Sequence, residues 1–192
     1  AKNTDPCNIV IKAENADNPV TFNALDTFNI TKRSKLSDSV IWNVSAMANW
    51  TPVGRADVNQ QTADLSVLVQ KLVNRNGWNS GNAMSFFISG NGTREVESFD
   101  GDAPKAPQLV IEYIPITTLS TRVSAAEDDQ EEWLPGANQT KTVGLLDAGS
   151  SDLEFGIENT TTDPQIVGIR FTNQTIPKGA IIQKAYIQFT VD

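Results

Sequence analysis

The sequence predicts an all-β protein with one short helix, and three observations lead there. Apolar and polar residues alternate strictly in Ala185, Ile187, Phe189 and Val191, interleaved with Tyr186, Gln188 and Thr190, and period two marks a half-buried strand. Helical spacing is confined to Leu65, Leu68, Val69, Leu72 and Val73, an i, i+3, i+4, i+7, i+8 stripe that gives one apolar face. Turn formers such as Asn15 to Pro19 and Gly90-Asn91-Gly92 separate the rest.

In chain order, Asn8 to Glu14 reads as a strand with Ile9, Ile11 and Ala13 on one face. Phe22 to Lys35 is ambiguous, with Phe28 to Thr31 as a short strand, while Val40 to Val44 is β-branched and aromatic and places Trp42 in the core. Asn49 to Gln61 is a polar loop containing Trp50. The helix is bounded at Asp64, its N-cap, and Arg75, with Asn76-Gly77 as a left-handed stop and Trp78 folded back beneath it. Ala83 to Ser89, a turn, and Thr93 to Ser98 read as a hairpin, and Gln108 to Ile114 as another strand. Pro115 to Thr121 reads as a polar connector. An acidic stretch follows, then strands at Asp152 to Glu158, Ile166 to Thr172 and Gln183 to Val191.

The 192 residues suffice to bury a real core. A net charge of −8 repels nucleic acid and anionic membrane surfaces, so neither is an expected partner. No apolar run approaches the roughly 20 residues of a membrane-spanning helix, so no membrane insertion is expected. The chain begins at Ala1 with no signal peptide, which suggests a processed product or an excised piece. One cysteine, Cys7, excludes an internal disulfide and a sulfur-rich zinc site. With no histidine, the commonest general base is missing. No spacing singles out a carboxylate pair for glycoside or uronate cleavage, so an enzyme is not expected. Sequons begin at Asn29, Asn43, Asn49, Asn91, Asn138, Asn159 and Asn173; chance explains some, and seven tilt the reading towards an exported, glycosylated protein, extracellular or at the cell surface.

Two features carry candidate chemistry. Asp128, Asp129, Glu131 and Glu132 are hard oxygen ligands packed closely enough to suit Ca²⁺, although no EF-hand spacing is present. The alternative is a solvated acidic surface. Trp50 and Trp133, both in expected loops, are the candidates for a sugar-stacking platform, and the alternative is that they plug sheet ends.

Residues 62–113 include Asn74-Arg75-Asn76-Gly77-Trp78-Asn79-Ser80-Gly81-Asn82-Ala83, Phe99-Asp100-Gly101 and Ala106-Pro107-Gln108-Leu109-Val110-Ile111-Glu112-Tyr113. They resemble the C-terminal half of a disaggregatase-related (DNRLRE-type) β-jelly-roll module. Residues 122–191, with Asp128 to Glu132, Ser151 to Glu154, Val167 to Phe171, Ile176 to Ala180 and the final strand, resemble its N-terminal half. The halves stand in swapped order, and joining Asp192 to Ala1 would make a hairpin of the last and first strands. The resemblance therefore implies a jelly-roll β-sandwich, circularly permuted or framed from a tandem array. Residues 1–114 form one half, 115–121 the connector, and 122–192 the half belonging to the same or the next module.

A half-sandwich leaves an apolar face and open strand edges, so it must find a partner. Head-to-tail pairing of identical copies does not close and generates a fibre. The sequence thus leads to a structural repeat subunit of an extracellular filament, with Ala185, Ile187, Phe189 and Val191 as the strand donated between subunits. The alternative is a non-catalytic carbohydrate-binding module, with polysaccharide as partner, since modules resembling this one accompany polysaccharide-degrading enzymes.

Overall fold

The computed structural model describes residues 7–43, 50–115, 117–136, 139–157 and 163–192. The alternating stretches become strands β1 (Asn8–Ala13), β2 (Val40–Asn43), β3 (Met84–Asn91), β4 (Thr93–Glu97), β5 (Gln108–Ile114) and β6 (Thr117–Arg122). After these come β7 (Asp129–Trp133), β8 (Leu146–Asp147), β9 (Asp152–Gly156), β10 (Gln165–Phe171) and β11 (Ile181–Gln188). Two short helices, α1 (Ser66–Val73) and α2 (Phe99–Asp102), interrupt them.

The strands form an all-β sandwich. One layer is a six-stranded antiparallel sheet in the order β2-β1-β3-β10-β7-β8. The other holds β11-β5-β6 and the β4-β9 ribbon, joined where Val96 bridges Val191 and the Glu97 N–H donates to the Thr190 carbonyl at 3.0 Å. Residues 60–65 run along the free side of β11: the Thr62 and Leu65 N–H groups donate to the Ile187 and Ala185 carbonyls. The edge of the last strand is thus closed by backbone.

Between the layers, inward residues meet in one core. Ile9, Ile11, Phe86, Ile88, Val167, Ile169 and Phe171 come from the large sheet, and Leu109, Ile111, Ala185 and Ile187 from the other. At one end four rings lock together: Trp42 stacks on Phe189 at 5.9 Å, and Phe155 meets Phe189 edge-on at 4.8 Å. Trp50 tilts against Trp42 at 5.8 Å. Such pairs add to the burial energy of the rings themselves. A second, smaller core lies outside the sandwich, where residues 20–35 fold over the large sheet and bury Phe22 and Ile30 against Phe87 and Ile166. Gly168 makes the approach possible, because a Cβ there would lie 2.8 Å from the Phe22 ring and 2.9 Å from Ile30.

Several expectations are corrected. The helix is shorter, with Leu65 at the N-cap position, although Asp64 still accepts from the Ser66 N–H at 2.9 Å. Gly77 does not adopt a left-handed conformation; it is tight because a Cβ would strike the Asp17 carboxylate. Residues 28–31 are a turn rather than a strand. Thr93 to Ser98 does not return along β3 as a hairpin. The chain turns at Gly92, with φ of +79°, crosses to the other layer, and β4 pairs with β9. The expected connector at 115–121 is largely strand β6, paired with β5 from Tyr113↔Thr117 to Gln108↔Arg122.

The two sequence halves interleave. β3 of the first pairs with β10 of the second, β5 with β11, and β4 with β9. Ala185, Ile187, Phe189 and Val191, expected to be donated to a neighbouring copy, are at most 1 % exposed within their own chain. The apolar face that called for a partner finds it inside the molecule. Phe189→Ala is expected to lower unfolding stability by about 3–5 kcal/mol, the range for emptying a buried aromatic site. Denaturant melts would check this, and a loss below about 1 kcal/mol would deny Phe189 its central place in the core.

Candidate functional site

The densest polar chemistry lies on β7, whose five residues Asp129, Gln130, Glu131, Glu132 and Trp133 are all buried. Such a strand survives only if each polar group finds a partner, since an unpaired buried charge costs several kcal/mol. Strand alternation sends successive side chains to opposite faces. On the outer face, Glu132 is 0 % exposed and accepts from the Ile30 N–H at 2.5 Å and the Thr31 N–H at 3.1 Å. These bonds pin the 20–35 segment to the sheet. Lys35 stands close by, its ammonium 4.4 Å from the Phe87 ring centroid and bonded to the Ile30 carbonyl. Burial lowers its pKa and the Glu132 charge opposes that shift.

On the inner face, Glu131 reaches β9. Its Oε1 accepts from the Glu154 N–H at 2.5 Å and from Gln165 Nε2 at 2.6 Å, and that amide also donates to the Glu154 carbonyl at 2.6 Å. A carboxylate and an amide therefore bond the outer edge of β9 as a neighbouring strand would. Burial pushes the Glu131 pKa well up, helped by the charges of Glu154, Asp152 and Asp147. Asp129 Oδ2 accepts from the Phe99 N–H at the start of α2, at 2.9 Å. Burial pushes its pKa up to about 8. Asp128, just before the strand, pairs with Arg170 at 2.6 Å.

The four carboxylates named from sequence are therefore not gathered into one cage. Asp128 meets an arginine on β10, Glu132 the loop amides, Asp129 the first turn of α2, and Glu131 the β9 edge. Neither an exposed acidic surface nor a four-residue cation site describes them.

Among the described residues, the carboxylates that do converge are Glu95, Asp152 and Glu154, with one oxygen from each within 4.8 Å of the others. Glu95 and Glu154 are direct cross-strand partners in the β4-β9 ribbon, and Asp152 lies two residues along on the same face. Like charges directly opposed across a pair destabilise it, and oxygen donors at this spacing suit a hard cation such as Ca²⁺. The signal was present in the sequence as acids of period two, Glu95-Val96-Glu97 and Asp152-Leu153-Glu154. What the sequence lacked was the pairing of the two strands.

The remaining candidates fall as follows. Trp50 is 1 % and Trp133 5 % exposed. Trp50 donates to the Glu95 carbonyl, and Trp133 is covered by the Lys141 ammonium at 4.7 Å. A buried ring presents no face to a sugar, so the platform is corrected to core. Of the sequons, Asn43, Asn91 and Asn173 are exposed. Asn29 is buried, with its amide bonded to Asp26, Asn23 and Arg33. Asn49, Asn138 and Asn159 lie outside the described residues. Cys7 is buried, and burial pushes its thiol up to about 11.

No family model, no curated protein and no solved structure matches the chain. Glu132→Ala is expected to leave two amides of the covering loop unpaired and to cost about 2–4 kcal/mol. Limited trypsin digestion would check it: cleavage at Lys32, Arg33 or Lys35 should accelerate, and an unchanged rate would show that the loop is held by its apolar residues alone.

Proposed function

We propose that this chain is a non-catalytic structural subunit of an extracellular or cell-surface filament, in which residues 122–192 of one copy complete the sandwich of the next. The observation that supports it is the interleaving. Each junction between the halves, β3-β10, β4-β9 and β5-β11, is a strand ladder that a second copy with the same sequence can form equally well. Exchange of identical elements is a low-cost route to assembly, because the exchanged contacts are those of the closed chain. The hinge is the connection between β5 and β6, where Tyr113 opposes Thr117. Opening it would turn that hairpin into one continuous strand joining two sandwiches. Exchange must break these three ladders and the β5-β6 ladder as well, so it is slow once the chain has closed and favoured while it folds. Three exposed sequons, at Asn43, Asn91 and Asn173, support export. Burial of Trp50 and Trp133 leaves the carbohydrate-binding alternative without its platform.

The same reading gives the carboxylate trio a role. Glu95 comes from the first half and Asp152 and Glu154 from the second, so a Ca²⁺ ion held by them would staple the halves together.

Cysteines at two directly opposed positions on β5 and β11, Glu112→Cys and Lys184→Cys, test the exchange. Protein refolded at high concentration and oxidised should run as a ladder of covalent multimers that collapses on reduction. The inert thiol of Cys7 does not compete. A single cross-linked monomer at every concentration would overturn the filament. For the cation, saturating Ca²⁺ is expected to raise Tm by about 5–10 °C, from mass-action stabilisation of about 2–3 kcal/mol. Chelation should reverse the rise, and Glu95→Gln with Asp152→Asn should abolish it; a Tm indifferent to calcium would remove the ion.

A further inference from the structure

Asp129 is 4 % exposed, and its two carboxyl oxygens differ in their surroundings. Oδ2 accepts from the Phe99 N–H, while Oδ1 is buried with no hydrogen-bond partner among the described residues. An ionised carboxylate with one oxygen in that position leaves half its charge unsolvated, which a neutral carboxyl avoids.

The charged groups around it offer no relief. Asp100 on α2 and Asp128 before β7 carry the same sign, and Arg170 on β10 is bonded to Asp128, the Pro19 carbonyl and Thr21. Lys105, after α2, pairs with Asp102. Further along the packed strands the facing groups are acids again: Glu131 on β7, Asp147 on β8, and Asp152 and Glu154 on β9. On β4, Glu97 is in reach of Lys105, and Arg94, at the far end, donates to the Thr93 carbonyl and lies over the Trp50 ring.

The segment that Asp129 holds is placed to respond. Phe99 opens α2 directly after β4, and α2 leans on the far loop through the Ser98 hydroxyl, which donates to the Ser150 carbonyl at 2.8 Å. A Cβ at Gly101 would meet the Ser151 carbonyl at 1.9 Å, so helix and loop lie in close contact. Toward β7, the Asp129 bond is the one polar fastening of α2 among the described residues.

We propose that Asp129 is a proton-held latch, which when neutral seats α2 against β7 and when ionised turns outward to water and frees α2 together with the 150–151 loop. The proposal stands whether or not copies exchange halves. The direction follows from linkage. The folded chain holds this proton above the pH at which the unfolded chain releases it, so the stability that Asp129 contributes is full below about pH 4 and is lost with rising pH, levelling off once pH passes about 8.

Thermal or denaturant melts between pH 5 and 9 test this in the wild-type chain and in Asp129→Asn, which keeps an oxygen for the Phe99 N–H and cannot ionise. The wild type should lose stability across the range and the variant should fall less steeply, with its advantage confined to the alkaline end. Equal slopes would overturn the latch. Should the variant not fold, carboxyl-carbon NMR of the wild type decides: a titration for Asp129 above pH 7, with faster exchange of the Phe99 amide over the same range, supports the latch, and an ordinary carboxylate titration overturns it.

Discussion

An acidic strand can occupy the middle of a sandwich only if every carboxyl on it has somewhere to go, and that requirement organises this molecule. β7 stands between β10 and β8, with the other layer on one side and the 20–35 segment on the other. Its side chains reach in three directions, to two loop amides, to the first turn of α2 and to the edge of β9, while Asp128 just before it reaches an arginine on β10. These bonds aim at backbone far away in sequence and fix the position of segments that apolar packing alone would let slide. Hydrogen bonds to charged groups are among the stronger polar terms in folding, and leaving one unmade is costlier still. The strip therefore acts as a set of rivets, while the aromatic cluster around Phe189 supplies the bulk of the burial.

What was readable in the sequence was whatever depends on near neighbours. The period-two stretches around Ile9, Val167 and Ile187 became strands, and the stripe from Leu65 to Val73 became the longer helix, because both patterns are set within a few residues. Pairing was not readable. Thr93 to Glu97 looked like the return arm of a hairpin, yet it crosses to the opposite layer, since its partner Asp152–Gly156 lies more than fifty residues away in the chain. The acidic run was misread for the same reason. Charge density argues for solvent, and only the fold reveals that the partners of Glu132 are amides about a hundred residues earlier. The polar stretch from Pro115 to Thr121 lacks an apolar rhythm and reads as a connector, although the backbone from Thr117 to Arg122 pairs with β5. Sequence places Trp50 and Trp133 in loops, whereas Trp133 ends strand β7 and the segment carrying Trp50 folds inward.

The interleaving of the two halves links the core to the functional proposal. Neither half holds a complete sheet, so the sandwich is less a pair of units than a single weave with three seams. Cohesion of this kind is indifferent to which molecule supplies the complementary strands. Closure within one chain has the advantage of proximity, whereas closure between chains gains only with concentration. The balance between them rests on the connection between β5 and β6 and on how rapidly the second half is folded after the first.

The bonding of β9 by Glu131 and Gln165 has one more consequence. A bare strand edge accepts any extended peptide that drifts past, and proteins at high local density are exposed to that hazard. By presenting a carboxylate and an amide where a foreign backbone would dock, the chain makes that border chemically occupied, while among the described residues β6 has no strand on its outer side. Stray sticking at that flank is thereby suppressed.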